Sequence, residues 1–267
     1  MKQLLLGYRV DTGSVADIVD AVAAGIATAQ SCRWLACLNP HSYVVALKDR
    51  QFARALRDSD WLIPDGIGIV LASRILGGAI RERVSGPDVF AALHQRLNRV
   101  GGVRIFFLGG TTEALIRIER RLEAECPSIR VAGMYSPPFK PYYSVQDSRH
   151  MTDAVNASKA DVLWVGLTAP KQETWICEHK HALNVRFIGA VGAAFDFYAG
   201  TVKPSPSFFR RHGLEWLPRL LQQPRRLWRR TLVSAPVFMW HVLKARLRGA
   251  SGPHPPAHGN GQDRAGR

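Results

Sequence analysis

The chain has 267 residues, an apolar content of 46% and a formal net charge of +15 from 36 basic and 21 acidic residues. This length provides material for a large core in one or two domains, and the apolar content is ordinary for a globular chain. The four cysteines are scattered without a C-x-x-C pair. The sequence therefore indicates neither a zinc site nor a disulfide framework, which suits a reducing cytoplasm.

The positive charge is concentrated near the C-terminus. From Lys203 to Arg248 there are eleven basic residues and one acidic residue, Glu215. Such an excess indicates an anionic partner, which is nucleic acid, an acidic membrane surface or a phosphorylated ligand. The N-terminal apolar stretch is too short for a signal peptide, and no apolar run approaches the ~18 residues of a spanning helix. We therefore expect a cytoplasmic protein that does not cross a membrane.

Apolar runs of strand length alternate with segments of helical spacing along most of the chain. In order, the predicted elements are a strand at Leu4–Tyr8, a helix from Ser14, a strand at Trp34–Leu38, a helix at His41–Arg57, a strand at Trp61–Pro64, helices at Ile67–Leu76 and Pro87–Val100, a strand at Val103–Leu108, a helix ending at Glu125, a strand at Ile129–Met134, a helix from Ser144, a strand at Val162–Leu167, a helix at Pro170–Leu183 and a strand at Val185–Val191. Solid apolar strands alternating with helices predict an α/β fold with a mostly parallel, Rossmann-like sheet and helices on both faces.

The sequence divides into three parts. Residues 1–203 form the predicted α/β catalytic domain, and residues 204–248 form a basic, tryptophan-rich helical appendage. Residues 249–267 are rich in Gly, Pro and His and are expected to be a disordered tail.

Two predicted strands end in polar residues, Asn39 beside Pro40 and Asp65 between Pro64 and Gly66. In open parallel sheets, ligands bind in the crevice outside the carboxyl ends of the strands. Asp65 could cap the following helix, or its carboxylate could take a proton from an attacking sugar hydroxyl. Asn39 could form an Asx turn with Pro40 or hold sugar hydroxyls.

Two further groups of residues follow strand ends. Gly109 and Gly110 precede a helix, which suits a nucleotide diphosphate or simply a tight turn. Lys171, Gln172 and Glu173 begin another helix, where a lysine is unfavourable for the helix dipole. We interpret Lys171 as a phosphate contact and Gln172 as a base or ribose contact, against a solvated first turn as the alternative.

Other polar groups carry weaker or negative signals. Asp196 lies among aromatic residues after the last strand and is either part of a capped turn or a sugar contact. Asp58-Ser59-Asp60 has the D-x-D form of a metal motif, but it precedes a strand and should lie at the opposite end of the sheet from the site. The histidines show no metal-ligand spacing, and no metal or nucleophile site is predicted.

The appendage mixes arginines with tryptophan and leucine. Its arginines Arg225, Arg226, Arg229 and Arg230 occupy adjoining helical positions, and the apolar segment Leu232–Leu247 follows at once. This pattern is typical of an interfacial membrane helix. Nucleic-acid binding and an ordinary packed helix are the alternatives, and the apolar segment favours the membrane.

Taken together, the motifs resemble the WecG/TagA/CpsF glycosyltransferases, glycosyltransferase family 26. The similarity spans about Leu4 to Arg230 and rests on ordered motifs: Asn39-Pro40, P-D-G-I-G at Pro64–Gly68, R-V-S-G-P-D at Arg83–Asp88, F-L-G-G at Phe107–Gly110, G-L-T-A-P-K-Q-E at Gly166–Glu173, G-A-A-F-D-F-Y-A-G at Gly192–Gly200 and the arginine-rich stretch at Gly213–Arg230.

The resemblance implies an inverting, metal-independent transferase that needs no cofactor. It would move a hexose from a UDP-sugar to a polyprenyl-diphosphate-linked sugar, as a peripheral protein on the inner face of the bacterial cell membrane. The family's proposed base falls on Asp65, and its substrate contacts fall on positions that include Asn39, Arg83 and Gln172. The family's appendage arginines, which face lipid or the acceptor diphosphate, match Arg219, Arg226 and Arg229 or Arg230. Cys37 replaces a threonine that many members carry.

Members of the family use N-acetylmannosamine, its uronic acid or glucose as the donor sugar. The P-D-G-I-G-I-V-L-A-S-R and Y-S-P-P-F-K-P stretches look closest to the exopolysaccharide glucosyltransferases, which favours glucose, with N-acetylmannosamine or its uronic acid as the alternative. The expected partners are a UDP-sugar, a lipid-linked acceptor and an anionic membrane surface, with a second copy of the chain as a further candidate and without nucleic acid. The rival classes are a nucleotide-sugar epimerase or dehydrogenase, for which no dinucleotide fingerprint is found, and a basic nucleic-acid-binding protein.

Overall fold

The fold is known here from a computed structural model that describes residues 1–28, 31–202 and 228–250, with single positions at 209 and 218. Its strands are β1 (Lys2–Leu5), β2 (Tyr8–Asp11), β3 (Arg33–Leu38), β4 (Trp61–Pro64), β5 (Arg104–Gly109), β6 (Arg130–Tyr135), β7 (Val162–Gly166) and β8 (Phe187–Ala190). Its helices are α1 (Val15–Thr28), α2 (Pro40–Ala46), α3 (Arg50–Asp58), α4 (Ile67–Ile75), α5 (Gly86–Val100), α6 (Thr112–Glu125), α7 (Val145–Ser158), α8 (Lys171–His179), α9 (Ala194–Tyr198) and α10 (Ala235–Ala250), with a 3₁₀ turn at Lys180–Ala182 and a π-helical segment at Arg229–Ser234.

Strands β3 to β8 form one parallel sheet in the order β4-β3-β8-β7-β5-β6. Successive side chains alternate between two buried clusters, one on each face: Trp34 belongs to one cluster and Leu35 to the other. Because both faces are covered by helices, both sets of alternating positions must be apolar. This arrangement confirms the predicted fold class.

The prediction of a single strand at Leu4–Tyr8 is wrong, because the chain reverses there. Leu6 and Gly7 both have positive φ, at 48° and 86°, and form the two-residue turn of an antiparallel hairpin between β1 and β2. Such turns match the twist of the paired strands and favour glycine. The hairpin is fixed to the sheet by Asp11, whose carboxylate accepts a hydrogen bond from the backbone N–H of Leu62 on β4 at 2.8 Å.

The predicted helix at His41–Arg57 is two helices, α2 and α3. Asp49 lies between them in an extended conformation, and its side chain accepts a hydrogen bond from the N–H of Phe52 at 3.0 Å. An aspartate at this position satisfies an otherwise unpaired helix N–H and so begins a new helix. The predicted helix at Pro170–Leu183 ends as an α-helix at His179, and α9 is a helix that was not predicted. The predicted domain boundary at Lys203 and most of the predicted tail lie outside the described residues.

The C-terminal helical segment packs against the α/β sheet domain. Phe238 and Val242 are buried, and the ring of Phe238 meets that of Tyr43 on α2 edge-on at 5.3 Å. The side chains of His41 and Ser234 form a hydrogen bond at 2.8 Å. Pro236 cannot donate to the helical ladder, and the wider π-helical turn lies just before it. Among the helices that the structure describes, none is long and apolar enough to span a membrane.

Candidate active site

Asn39 and Asp65 meet at the carboxyl ends of the neighbouring strands β3 and β4. Asn39 caps α2: its Oδ1 accepts from the N–H of Ser42 at 2.9 Å, while the Ser42 hydroxyl accepts from the Asn39 N–H at 2.7 Å. This reciprocal cap fixes the side-chain amide. The remaining Nδ2 group donates to Oδ2 of Asp65 at 3.2 Å. Asn39 is therefore both a helix cap and a support for the carboxylate.

The carboxylate of Asp65 does not cap the helix that follows it. The N-cap of α4 is Gly66, which has a φ of 95°, and no side chain caps this helix. Only the backbone N–H of Asp65 joins the strand network, by donating to the carbonyl of Leu38 at 2.8 Å. The alternative in which Asp65 merely caps a helix is thus wrong, and a carboxylate is presented at the crevice.

Arg230 brings the C-terminal segment to this carboxylate. Its Nη2 lies 3.9 Å from Oδ2 of Asp65, although the two residues are far apart in sequence. Burial, and then the charge of Arg230, lower the pKa of His41, so this ring is neutral at pH 7. Arg229 instead lies over the ring of Trp228, while the predicted acceptor contacts Arg219 and Arg226 lie outside the described residues.

Cys37 and Arg83 border the same crevice. The Cys37 thiol lies 3.7 Å from the carbonyl oxygen of Ala190. Burial, followed by the negative charges of Asp65 and Glu173, raises the pKa of this thiol well above its usual value, so it remains protonated. Arg83 lies 3.3 Å from the carboxylate of Asp88 in the first turn of α5. Its guanidinium is thereby oriented by the helix that follows it.

Gly109 and Gly110 form a close turn against β7. A Cβ added to Gly109 would lie 2.6 Å from the backbone of Gly166, and both residues of the pair have positive φ. The N–H of Gly110 donates to the Gly166 carbonyl at 3.2 Å, and its own carbonyl accepts from the Ser136 hydroxyl at 2.6 Å. Close strand packing alone accounts for these glycines, and their predicted contact with a diphosphate stays a prediction.

The ammonium group of Lys171 contacts the loop that follows β6. It donates to the carbonyl of Lys140 at 2.6 Å and lies over the rings of Phe139 and Tyr143. Burial lowers the pKa of Lys171. The sequence did not predict this loop contact, although the cluster of aromatic residues in the loop was visible. The predicted phosphate contact would require the ammonium to exchange these partners for the ligand.

Gln172 and Glu173 are buried beside each other at the start of α8. The Gln172 Nε2 group donates to Oε1 of Glu173 at 2.9 Å. Among the described residues, Oε1 of Gln172 and Oε2 of Glu173 have no hydrogen-bond partner. Burying an unpaired polar group costs about 1–3 kcal/mol. Burial is also the main cause that raises the pKa of Glu173 to about 7.

Asp196 lies in α9, at the end of β8. Its backbone carbonyl accepts from the N–H groups of Thr201 and Val202 and from the hydroxyl of Thr201. Its carboxylate is half-buried, with no hydrogen bond or ion pair to the rest of the described chain. The backbone of Asp196 thus closes a turn, and its side chain remains a predicted sugar contact.

The D-x-D sequence lies at the other end of the sheet. Asp60 precedes β4, and its carboxylate accepts from the N–H of Trp34 and pairs with Arg33, while Asp58 pairs with Lys180. These carboxylates stabilise the amino-terminal edge of the sheet, which is the end where the D-x-D sequence was predicted to lie. In the described part of the chain, no group of three or more His, Cys, Asp or Glu side chains could hold a metal ion.

Comparison with known families identifies the chain. The glycosyl transferase WecG/TagA/CpsF family matches residues 3–252, which is nearly the whole chain. The chain belongs to this family. The family resemblance predicted from the ordered motifs is thereby confirmed, and the protein is a glycosyltransferase. Membership favours this class over the epimerase, dehydrogenase and nucleic-acid-binding alternatives.

Several relatives of this WecG/TagA/CpsF glycosyltransferase are called N-acetylglucosaminyldiphosphoundecaprenol N-acetyl-beta-D-mannosaminyltransferase. The protein of this name from Bacillus spizizenii is 34% identical over 216 residues, covering 81% of this chain and 80% of the relative. The one from Bacillus subtilis is 33% identical over 210 residues, covering 79% and 78%. The one from Staphylococcus aureus is 25% identical over 245 residues, covering 91% and 93%.

Proposed function

We propose that this glycosyltransferase moves an N-acetylmannosaminyl group from a UDP donor to N-acetylglucosaminyl-diphospho-undecaprenol. The names of the relatives support this sugar and this acceptor. They give no support to glucose, which the sequence had favoured, and they fit the alternative better. The observation that carries the chemistry is the carboxylate of Asp65, which is held by Asn39 at the strand ends and does not cap a helix.

In the proposed reaction, Asp65 removes the proton from the acceptor hydroxyl. The hydroxyl oxygen attacks the anomeric carbon of the donor as the bond from that carbon to the UDP oxygen breaks. The configuration at the anomeric carbon is therefore inverted, and UDP leaves as an anion. The proton remains on Asp65 until it is lost to solvent. A positioned carboxylate base contributes roughly 10²–10⁴-fold to such a step.

A second part of the proposal concerns the surface on which the reaction takes place. The side of the C-terminal segment opposite Phe238 and Val242 exposes large apolar side chains: Leu232, Val233, Val237, Trp240, Leu243 and Leu247. From Val233 onward they recur every three or four residues, and basic residues flank them. Trp and Leu beside Lys and Arg are typical of a helix lying in a membrane interface. We propose that this outer face rests on an anionic membrane, at its cytoplasmic side, where a lipid-linked acceptor would be available.

The activity test uses the purified full-length protein with a short-chain polyprenyl-diphospho-N-acetylglucosamine. UDP release and product mass would be measured with UDP-N-acetylmannosamine, UDP-N-acetylglucosamine and UDP-glucose. We expect the first donor to be used at least tenfold better than the others. Asp65→Asn should reduce turnover by about 10²-fold or more, whereas Asp60→Asn, at the opposite end of the sheet, should not. Near-normal turnover in Asp65→Asn, with the donor KM unchanged, would contradict the assignment of the base.

Membrane contact is tested by sedimentation with vesicles that contain or lack anionic lipid. Trp240→Glu should weaken binding to anionic vesicles at least tenfold, because it places a charge in the apolar face. Phe139→Ala is the matched control, since Phe139 is also an exposed aromatic residue, at 93% exposure, but lies outside the C-terminal segment. Equal binding by wild type and Trp240→Glu would exclude this face as the membrane contact.

A further inference from the structure

Gln172 and Glu173 form a buried polar pair with one hydrogen bond made and two oxygens unpaired. Their exposed fractions are 3% and 2%. The donor end of the Gln172 amide is held by Oε1 of Glu173 at 2.9 Å, while its acceptor oxygen and the second carboxyl oxygen have no partner in the described chain. Buried polar atoms almost always find partners, so an unpaired one needs an explanation. A ligand group that arrives at the pair would supply such a partner.

The position of the pair favours a ligand over a packing defect. A Cβ placed on Gly192, at the end of β8, would lie 3.6 Å from both terminal atoms of the Gln172 amide. The Cys37 thiol on β3 lies 3.7 Å from the carbonyl oxygen of Ala190, which is two residues before Gly192. The pair therefore lies at the carboxyl ends of the two central strands, β7 and β8, next to the strand β3 that carries Cys37.

The protonation state of Glu173 determines which end of the Gln172 amide is free to bind a ligand. A carboxylate accepts only, so it binds the NH₂ end of Gln172 and leaves the carbonyl end available. A protonated carboxyl group can donate, so it can bind the carbonyl end and leave the NH₂ group available. The raised pKa of Glu173, about 7, makes both forms accessible near neutral pH. Lys171 does not compete, because its ammonium is bound to the carbonyl of Lys140.

We infer that Glu173 is a positioning residue that, as a carboxylate, holds the Gln172 amide with its carbonyl oxygen free to accept a hydrogen bond from a hydroxyl or N–H group of the bound sugar. The inference rests on the proposed function, because it assumes that a sugar nucleotide occupies this crevice. It gives Glu173 an effect on sugar binding that acts through Gln172, without direct contact with the reacting atoms.

The test measures donor KM and kcat from pH 6 to pH 8.5 for the full-length wild type and Glu173→Gln. In the wild type, donor KM should fall about tenfold as pH rises through 7, because the carboxylate form orients Gln172 for binding, and kcat should change less. Glu173→Gln mimics the protonated form at every pH, since an amide can both donate and accept. Its KM should therefore be high and show no such step. A step of wild-type size in Glu173→Gln would overturn the inference.

A double-mutant cycle separates positioning from a structural role. Glu173→Met should lower kcat/KM about tenfold in the wild type but less than twofold in a Gln172→Met background, because the residue it positions is then absent. Equal losses in both backgrounds would overturn the inference. Circular dichroism and thermal unfolding verify folding, and if a Met variant fails to fold, the pH comparison with Glu173→Gln decides.

Donor binding measured without transfer distinguishes failure of the proposed function from failure of the role inferred for Glu173. Calorimetry at pH 6 and pH 8 measures donor binding by wild type and Glu173→Gln without any acceptor. If the wild type binds the UDP-sugar but transfers nothing, the proposed function fails, and the pH dependence of binding still decides the role of Glu173. If the wild type binds no UDP-sugar, both are refuted.

Discussion

Replacing Phe238 with alanine should release α10 from the catalytic domain. Phe238 is 1% exposed and packs edge-on against Tyr43 at 5.3 Å. A buried Phe→Ala substitution costs about 3–5 kcal/mol, from lost transfer energy and the cavity left behind. Since about 1.4 kcal/mol corresponds to a factor of ten, the equilibrium between packed and released α10 should shift more than a hundredfold toward release.

The measurement is amide hydrogen exchange in the full-length protein. Peptides from residues 235–250 should lose protection in Phe238→Ala, while peptides from β5 and β7 should keep it, because local opening needs less free energy than global unfolding. Trp240→Ala is the matched control, as Trp240 lies on the same helix but is 65% exposed. Glycosyl transfer to the short-chain acceptor, which needs no membrane contact, should fall in Phe238→Ala alone, because Arg230 is then no longer held at the crevice.

Two results would refute this reasoning. Unchanged protection of residues 235–250 in Phe238→Ala would mean that the contact with Tyr43 does not hold the helix. Loss of protection throughout the sheet would mean that α10 is part of the cooperative core, and that it cannot be released separately.

Three further predictions test other parts of the structure. Arg230→Ala should lower kcat/KM for the acceptor at least tenfold, measured as UDP release with saturating donor, because it removes the guanidinium that would bind the acceptor diphosphate in the proposed reaction. Burial lowers the pKa of His94 to about 3, whereas the unfolded value is about 6.5. Below pH 6.5 only the unfolded state gains this proton, so the stability of wild type relative to His94→Gln, measured by urea titration, should fall by roughly 1.4 kcal/mol per pH unit down to about pH 3. Gly109→Ala should lower the melting temperature clearly more than Gly77→Ala, because both have positive φ but only Gly109 is crowded, by backbone atoms 2.6 Å from the added Cβ.

The central sheet could be predicted because five of its six strands are short, mostly apolar runs buried on both faces. In β7, Val162 and Trp164 face one cluster and Leu163 and Val165 face the other. A short run that is apolar at both sets of alternating positions indicates a strand covered on both faces. Turn chemistry was harder to predict. The hairpin depends on a positive φ at Leu6 as well as at Gly7, and a leucine gives no signal for that conformation.

The candidate site could be predicted only in part, for a similar reason. Asn39 and Asp65 were visible because polar residues at the ends of parallel strands converge on one edge of the sheet. Their hydrogen bond follows from the pairing of β3 with β4. The ion pair of Asp65 with Arg230 joins residues that are distant in sequence, and no local pattern specifies where the C-terminal segment packs. Likewise, the partners of Lys171 depend on how the loop after β6 folds back over α8.

The C-terminal segment has an apolar surface on each of two opposite sides. The packing of one side against the domain brings Arg230 to the site. One side, with Phe238 and Val242, is buried against the domain, and the other, with Trp240, is exposed. The π-helical turn that carries Arg230 lies between the packed helix and the crevice. Under the proposed function, the acceptor diphosphate would approach from the membrane under α10 and offer a guanidinium more negative charge than one carboxylate does. Arg230 would then move from Asp65 to the diphosphate and leave the carboxylate free to act as the base. The packing of α10 would thus couple the arrival of the lipid-linked acceptor to activation of Asp65.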